Sequence, residues 1–248
     1  MKVSILIAYY NRPKQLERSL WLLERQLFFQ FSGTEHEIVL VDDGSEQPID
    51  YRFSCLYDVN GFNYTIRPAG SPPRSPNTAL KYAYTHSTGD FVIIGGPEIL
   101  APLHGVETML AKGDMTRRNV PVLYYTAWNH RLSTVDWQSS LDNLKQLPDF
   151  MATRGEHGYC NADSPGMFNH AGFSGATREV WDKIAFLPDT EAWGRSDSYW
   201  HEREMELGLL PHPLKELEVY HQWHEIIHGN IPQYSHKIKQ IRKSQMEE

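Results

Sequence analysis

The stretch KVSILIAYYNRPKQLERSL, Lys2 to Leu20, decides the fold class. It begins with a near-continuous apolar run rich in β-branched residues, which is typical of a strand buried on both faces of a sheet. Apolar residues then recur at helical spacing from Leu16 to Leu27, and Pro13 stands in the first turn, where a helix tolerates proline. The stretch therefore predicts a buried strand followed by a helix.

The same alternation continues through about the first hundred residues. Two further apolar strands, a weaker strand and a helix are predicted there, in the segments HEIVLVDDGS, FNYTIRP, NTALKYAYTHSTGD and FVIIGG. Strands that alternate with helices are typical of a mostly parallel sheet covered by helices on both faces. The fold class predicted is α/β, with a mostly parallel, mixed sheet flanked by helices.

The second half of the chain is less regular. Strands are predicted in VPVLYYTAW, GFSGAT and HPLKELEVYHQWH, and helices from about Thr177 and in SDSYWHEREMELGLL. The stretch from Asn129 to His170 has no clear periodicity, which is typical of a binding loop or lid. We predict a single domain over residues 1–235, with halves at 1–100 and 101–235, and a basic tail at 236–248.

Bulk composition narrows the class of protein. The chain has 248 residues, 40% of them hydrophobic, and a formal net charge of -7, which argues against general nucleic-acid binding. Cys55 and Cys160 lie far apart and form no CxxC motif, so free thiols in a reducing compartment are expected, and with them a cytoplasmic location. No apolar run approaches the roughly 20 residues of a membrane span.

Polar residues follow four of the predicted strands: the run Tyr10 to Arg12, the pair Asp42 and Asp43, the single acid Glu98, and His221. The carboxyl ends of parallel strands lie along one edge of a sheet, so these side chains are expected to converge on one crevice. Glu98 stands in GDFVIIGGPEILAP, where two glycines allow a close approach of backbone or ligand. The sequence therefore predicts a ligand site at this edge.

The segments VSILIAYYNRPKQLERSL, EIVLVDDGS and FSGATREVWDKIAFLPDTEAWGRSDSYWHERE together resemble family 2 glycosyltransferases of the GT-A fold. The resemblance covers about the first hundred residues and the stretch from Gly172 to His224, with the motifs in the family's order. It implies a GT-A type fold, with a Rossmann-like, nucleotide-sugar-binding first half and an acceptor-binding second half. It also implies transfer of a sugar from a nucleotide-diphosphate sugar to an acceptor hydroxyl with inversion.

The resemblance assigns a donor site to the first half. Tyr10 would stack on or flank the base, Asp43 would accept hydrogen bonds from the base or ribose, and the nucleotide expected in this pocket is uridine or guanosine diphosphate (UDP or GDP). Asp42 would help to shape that strand end, and Arg12, which lies at the same edge, is also predicted to bind the donor. For the acid pair the alternative is a turn and helix-cap sequence, since Asp-Gly-Ser is a common turn.

Two more donor-site residues come from the segment PPRSPNTAL. It matches an Arg- and Asn-containing segment of the family, which implies that Arg74 approaches the donor and that Asn77 supports it. The alternative is a loop charge for Arg74 and a helix cap for Asn77.

The family's acidic metal motif is thinned in this chain. GGPE stands where several acids are expected, so Glu98 is the only acid left, and His221 matches the family's C-terminal histidine. The resemblance then implies Mn²⁺ or Mg²⁺ at Glu98 and His221, with phosphates and waters as the other ligands. The alternatives are ordinary polar histidines, or a zinc cluster of His221 with His224 and His228.

The catalytic residue implied by the resemblance is Asp197, in WGRSDSYWHERE. It would act as the general base that takes the proton of the attacking hydroxyl. The alternative is that Ser196 and Asp197 only cap a helix, and the acids Asp189 and Glu191 are the next candidates for the base.

Two rival functions stay open. A sugar-nucleotide nucleotidyltransferase shares the alternating layout, but AYYNRPKQ lacks the glycine-rich loop expected after its first strand. A catalytically inactive relative that binds a carbohydrate or a protein is favoured by the thinned acidic motif. For an active enzyme the expected partners are a nucleotide sugar and a glycan, lipid-linked or protein acceptor, as in polysaccharide biosynthesis, and no nucleic acid.

Overall fold

The structure is a computed structural model of the chain, and it describes residues 1–26, 33–53, 59–72, 74–115, 122–131, 144–148, 159–160, 172–184, 200, 203 and 206–222. In these residues the chain forms one nine-stranded mixed sheet with helices packed against it. No helix in the described ranges is long and apolar enough to cross a membrane.

The first half of the chain builds the parallel part of the sheet. Its strands are β1 (Lys2–Tyr9), β2 (Glu35–Asp42), β3 (Val59–Thr65) and β4 (Phe91–Gly95). β1 lies between β2 and β4, β3 pairs with the outer side of β2, and all three pairings are parallel. The apolar runs explain this arrangement, because central parallel strands are buried on both faces.

Alternate residues of β1 pack into two different hydrophobic cores, one on each face of the sheet. Ile5 and Ile7 pack on one face of the sheet with Leu16 and Leu20 of helix α1 (Pro13–Leu23). Leu6 points to the opposite face and packs with Leu80 and Ala83 of helix α2 (Asn77–His86). The period-2 alternation of the strand and the helical spacing of the leucines thus place one helix on each side of the sheet.

The second half of the chain extends the sheet beyond β4. It contributes β5 (Ile99–Leu100), helix α3 (Gly105–Met115), β6 (Val122–Arg131), a 3-10 turn (Leu144–Gln146), β7 (Tyr159–Cys160), β8 (Phe173–Thr177), helix α4 (Arg178–Ile184) and β9 (Leu210–His221). The strand order is β3-β2-β1-β4-β8-β6-β9-β5, and β7 pairs with β6. β8 runs antiparallel to β4, which makes the sheet mixed.

The predicted fold class is confirmed, and several element bounds differ from the prediction. β3 begins at Val59, three residues before the predicted FNYTIRP strand. α3 was not predicted, and its Val106 and Met109 are fully buried in the core shared with β1. α4 begins at Arg178, one residue after the predicted Thr177. The predicted division into halves at 1–100 and 101–235 stays a prediction.

Candidate active site

The carboxyl edge of the parallel strands gathers the predicted polar residues. Tyr10 follows β1, Asp43 follows β2, and Glu98 lies in the turn after β4. A backbone hydrogen bond joins the ends of β1 and β2, because the Asp43 N–H donates to the Tyr9 carbonyl oxygen at 3.0 Å. His221 reaches the same edge from β9, where it is paired with Ile99 of β5.

Asp43 is held by two arginines. Its side chain is 6% exposed, and its Oδ1 accepts a hydrogen bond from Arg67 Nε at 2.7 Å. Arg74 Nε lies 3.1 Å from each carboxylate oxygen. Arg67 Nη2 also donates to the carbonyl oxygens of Asp43 and Pro72, both at 2.8 Å. Charge-assisted bonds of this kind fix the carboxylate and leave two guanidinium groups beside it.

Arg67 was missed by sequence reasoning. It follows β3 at a distance of two residues, in the segment TIRP, and so occupies a strand end like those of Tyr10 and Asp43. The rule that strand ends converge would have found it if it had also been applied to the weaker strand.

Tyr10 lies beside this cluster. Its hydroxyl donates to the carbonyl oxygen of Ser71 at 2.9 Å, and the side chain is only partly buried. Burial and, after it, the nearby carboxylate of Glu46 raise the pKa of Tyr10 above its ordinary value of 10.0. The phenol therefore stays protonated near neutral pH, and the ring is available to a planar ligand.

A glycine allows the turn after Asp43. Gly44 has φ of 85°, and a Cβ atom there would lie 2.8 Å from both the Pro68 carbonyl oxygen and the Ser71 Cβ. Only glycine combines this backbone conformation with so close an approach. The turn thus brings the loop that carries Arg67 and Ser71 against the end of β2.

Asp42 and Asn77 are placed differently from the other predicted donor-site residues. Asp42 is fully buried, and its carboxylate accepts hydrogen bonds from the N–H and the hydroxyl of Ser45 and from the Ile49 N–H. Asn77 is 1% exposed and donates from Nδ2 to Ser75 Oγ at 2.8 Å. Both side chains shape the loops around the site, and their contact with a ligand stays a prediction.

Glu98 contacts two residues from opposite ends of the chain. Its Oε2 accepts a hydrogen bond from Arg12 Nη1 at 2.9 Å, and its Oε1 lies 3.5 Å from His221 Nε2. All three side chains are 15–20% exposed, so they are partly accessible to solvent at this edge of the sheet. The structure therefore brings together the two residues predicted to share a cation.

The backbone around Glu98 is fixed by neighbouring elements. The Gln222 N–H donates to the Glu98 carbonyl at 2.9 Å, and Ser19 Oγ donates to the Pro97 carbonyl at 2.8 Å. A Cβ atom on Gly96 would lie 2.9 Å from Ile99 Cγ1 and 3.3 Å from Glu98 Oε1. A side chain at position 96 would therefore have to displace Ile99 and would crowd the Glu98 carboxylate.

The donor set at Glu98 fits a divalent cation in part. A carboxylate and an imidazole suit Mn²⁺, and a cation bound with a nucleotide takes its other ligands from phosphates and waters. Among the described residues no group of three or more His, Cys, Asp or Glu is placed to hold a metal ion. A cation bound by Glu98 and His221 would therefore take its remaining ligands from phosphates and waters.

Several predicted residues lie outside the described residues. They are the predicted base Asp197, its alternatives Asp189 and Glu191, and the histidines His224 and His228. Most of the irregular stretch from Asn129 to His170 also lies outside them, and its predicted role as a binding loop stays a prediction.

Comparison with known proteins agrees with this geometry. The family model described as Glycosyl transferase family 2 matches residues 4–94, which run from β1 through most of β4. This range contains Tyr10, Asp43 and the two arginines that hold Asp43.

Solved structures resemble the chain beyond that range. S. aureus TarS 1-349 in complex with UDP-GlcNAc is 15% identical and has a TM-score of 0.60, over 91% of this chain and 59% of that chain. The mannosyltransferase PcManGT from Pyrobaculum calidifontis, in complex with GDP-Man and Mn²⁺, is 18% identical and has a TM-score of 0.56, over 92% and 58%. The chain thus spans less than two thirds of the length of these structures. Residues 4–94 carry the pattern of glycosyl transferase family 2, and the chain has the GT-A fold of these glycosyltransferases.

Proposed function

We propose that this chain is a glycosyltransferase that moves a sugar from a nucleotide-diphosphate sugar to an acceptor hydroxyl, with inversion. The observation that carries the proposal is the cluster of Tyr10, Asp43, Arg67 and Arg74 at the carboxyl edge of the sheet. This cluster lies within the residues that match the family model. Ligands of open α/β sheets bind at this edge.

Each residue of the cluster has a definite role in donor binding. The ring of Tyr10 flanks the base, and the Asp43 carboxylate accepts hydrogen bonds from the base or ribose. Arg67 and Arg74 hold the Asp43 side chain in place through hydrogen bonds, and their guanidinium groups add positive charge for the diphosphate. Preorganised positive charge stabilises a diphosphate leaving group as negative charge develops on it.

A divalent cation, Mn²⁺ or Mg²⁺, is proposed at Glu98 and His221. When bound, it would neutralise charge on the departing diphosphate. The chain's own part is to orient Glu98 through the Gln222 N–H and to present the His221 imidazole 3.5 Å from the carboxylate. Excess EDTA is expected to lower transfer, and full activity in EDTA would remove the cation from the proposal while leaving donor binding untouched.

The general base is proposed to be Asp197, which lies outside the described residues. The variant Asp197→Asn should keep donor binding, because the amide is nearly isosteric, while transfer falls by about 10²–10⁴-fold. If Asp197 only caps a helix, the change should cost little, since Asn caps about as well as Asp. Transfer at the wild-type rate would move the assignment to Asp189 or Glu191.

Nucleotide binding is the first test of the proposed function. Calorimetry with uridine and guanosine diphosphate, with and without Mn²⁺, should show binding of at least one of them. A ligand present at 100 times its dissociation constant should raise the free energy of unfolding by about 2.7 kcal/mol, measurable as a thermal shift. Absence of binding by any nucleoside diphosphate, with and without the cation, would end the proposal.

A binding protein without transferase activity is the second candidate. The observation that favours it is the single acid of GGPE, whose carboxylate is engaged by Arg12. Such a protein would bind the nucleotide sugar or a glycan and would release no nucleoside diphosphate from any sugar nucleotide. Turnover of a sugar-nucleotide panel, with glycan, lipid-linked and protein acceptors, separates the two candidates. A cytoplasmic location and a part in polysaccharide biosynthesis stay predictions.

A further inference from the structure

Arg12 places a fixed positive charge at the proposed cation site. Its Nη1 donates to Glu98 Oε2 at 2.9 Å, while the other oxygen of the same carboxylate faces His221. A cation that binds Glu98 would therefore lie next to a guanidinium group. Two positive charges at so short a distance repel each other, and the repulsion is strong where protein shields the pair from water.

Arg12 is held in this place by the fold. It immediately precedes α1, its carbonyl accepts the Leu16 N–H at 3.0 Å, and its side chain is only 15% exposed. Pro13 follows it and fixes the entry into the helix. The backbone of Arg12 is thus fixed beside the cation site, and the bond to Glu98 places the guanidinium there, so its charge acts on whatever binds to Glu98.

The Arg12 guanidinium also has an unused donor. Its Nε is buried and donates to no acceptor among the described residues. A buried donor without an acceptor costs free energy, so the group would gain from an additional oxygen close by. Phosphate oxygens are strong acceptors for guanidinium groups and often bind them through two hydrogen bonds.

We infer that Arg12 makes cation binding at Glu98 and His221 depend on the nucleoside diphosphate. Without the diphosphate, the Arg12 guanidinium remains hydrogen-bonded to the Glu98 carboxylate and repels a divalent cation. With the diphosphate bound, its negative charges compensate both Arg12 and the divalent cation, and Arg12 gains phosphate acceptors. This inference rests on the proposed donor site and names the residue that couples its two ligands.

Coupling of this kind is reciprocal. If the diphosphate tightens cation binding by some factor, the cation must tighten diphosphate binding by the same factor. Removal of the Arg12 charge should shrink that factor by raising the affinity for the cation alone. A lysine at the same position keeps the charge and should keep most of the coupling.

The test measures Mn²⁺ binding by calorimetry and by the electron spin resonance signal of free Mn²⁺, with and without uridine or guanosine diphosphate, and subtracts the Mn²⁺ that the diphosphate binds in the absence of protein. The variants are Arg12→Gln and Arg12→Lys. Arg12→Gln removes the positive charge but no helix cap, because the Arg12 side chain makes no capping hydrogen bond. The matched control is Arg25→Gln, which makes the same change in net charge near the other end of α1, where Arg25 lies over the Trp21 ring.

Wild-type protein, Arg12→Lys and Arg25→Gln are expected to bind Mn²⁺ alone weakly and to bind it more tightly with the diphosphate. Arg12→Gln is expected to bind Mn²⁺ alone at least about tenfold more tightly than wild type. Equal affinity of Arg12→Gln and Arg25→Gln for Mn²⁺ alone would overturn the inference.

Wild-type protein provides a second route should Arg12→Gln fail to fold. A dissociation constant for Mn²⁺ that is the same with and without the diphosphate would overturn the inference, and so would a lack of Mn²⁺ binding under both conditions. A lack of Mn²⁺ binding would also remove the cation from the proposed function, but neither result would overturn donor binding or sugar transfer, which are tested separately by calorimetry with the nucleoside diphosphates and by turnover of sugar nucleotides. Loss of nucleotide binding in wild type would instead end the proposed function itself.

Discussion

Both edges of the parallel sheet carry acids that are buried or partly buried, but the positively charged and hydrogen-bonding partners of these acids differ between the edges. At the amino edge, Glu37 accepts hydrogen bonds from the Ser4 hydroxyl and the Thr88 N–H, and it pairs with Lys2 at 2.9 Å. At the carboxyl edge, Asp43 pairs with two arginines and Glu98 with a third.

These different partners indicate that the acid at the amino edge stabilises the fold, whereas the acids at the carboxyl edge serve ligand binding. The partners of Glu37 lie on β1 and in the loop before β4, so that acid ties together the strands it lies between. The arginines of the carboxyl edge come from loops and from the residue before α1, and a guanidinium has five donors, more than one carboxylate can engage. We therefore expect acids of the amino edge to affect stability and acids of the carboxyl edge to affect binding.

Between the two edges, the largest expected effect is that of Asp43→Asn on donor affinity. The amide keeps the size of the side chain but can no longer neutralise Arg67 and Arg74 or accept hydrogen bonds as a carboxylate does. We expect the dissociation constant for the nucleoside diphosphate to rise about 100-fold, or about 2.8 kcal/mol. Calorimetry with the diphosphate measures it.

The melting temperature of Asp43→Asn is its control. The two arginine side chains are 19% and 25% exposed, so water can solvate them when their partner is lost. A variant that loses much stability and keeps its donor affinity would contradict the comparison of the two edges.

The next effect is that of Glu37→Gln on stability. The carboxylate is 2% exposed and accepts charge-assisted hydrogen bonds, so its neutral isostere should lower the free energy of unfolding by about 1.5–3 kcal/mol. Denaturant titration measures this change. Donor affinity should stay at the wild-type value, and a parallel loss of affinity would show that the two edges are not independent.

Acid titration sharpens the same prediction. Burial alone would raise the pKa of Glu37, but hydrogen bonds from the Thr88 N–H, Ser4 and Lys2 together lower it below its ordinary value of 4.5. A carboxyl whose pKa is lowered by folding stabilises the fold above its unfolded pKa and loses that contribution as the pH falls through its folded pKa. The stability difference between wild type and Glu37→Gln should therefore shrink in acid, and a constant difference would contradict this assignment.

The sequence predicts the parallel half of the fold well because its signals are local. A β1 run such as Val3 to Ile7 is fully buried in the structure, and helix α1 begins at the predicted Pro13. Helix α3 was missed, since Gly105–Met115 has a weaker apolar periodicity and is placed by packing of Val106 and Met109 against the sheet. Packing by distant residues leaves no local pattern to recognise.

The location of the candidate site was predictable, but its hydrogen-bonding partners were not. The strand-end rule placed Tyr10, Asp43 and Glu98 at one edge. The engagement of Glu98 by Arg12 and of Asp43 by Arg67 depends on side-chain directions that spacing does not determine. Asp42 and Asp43 are neighbours with the same side chain, yet one is bound within the turn and the other faces the arginines, because successive residues point in opposite directions.

The smallest expected effect is that of Tyr10→Phe, and it tests which part of this side chain serves the donor. The hydroxyl donates to the Ser71 carbonyl, so its loss should cost about 0.5–1.5 kcal/mol of stability and leave donor affinity within about twofold. Tyr10→Ala removes the ring as well, and loss of base stacking should cost about 1–3 kcal/mol of binding free energy. Calorimetry with uridine and guanosine diphosphate compares the two variants. If Tyr10→Phe loses as much affinity as Tyr10→Ala, the ring is not the contact, and Tyr10 acts through the loop that carries Ser71.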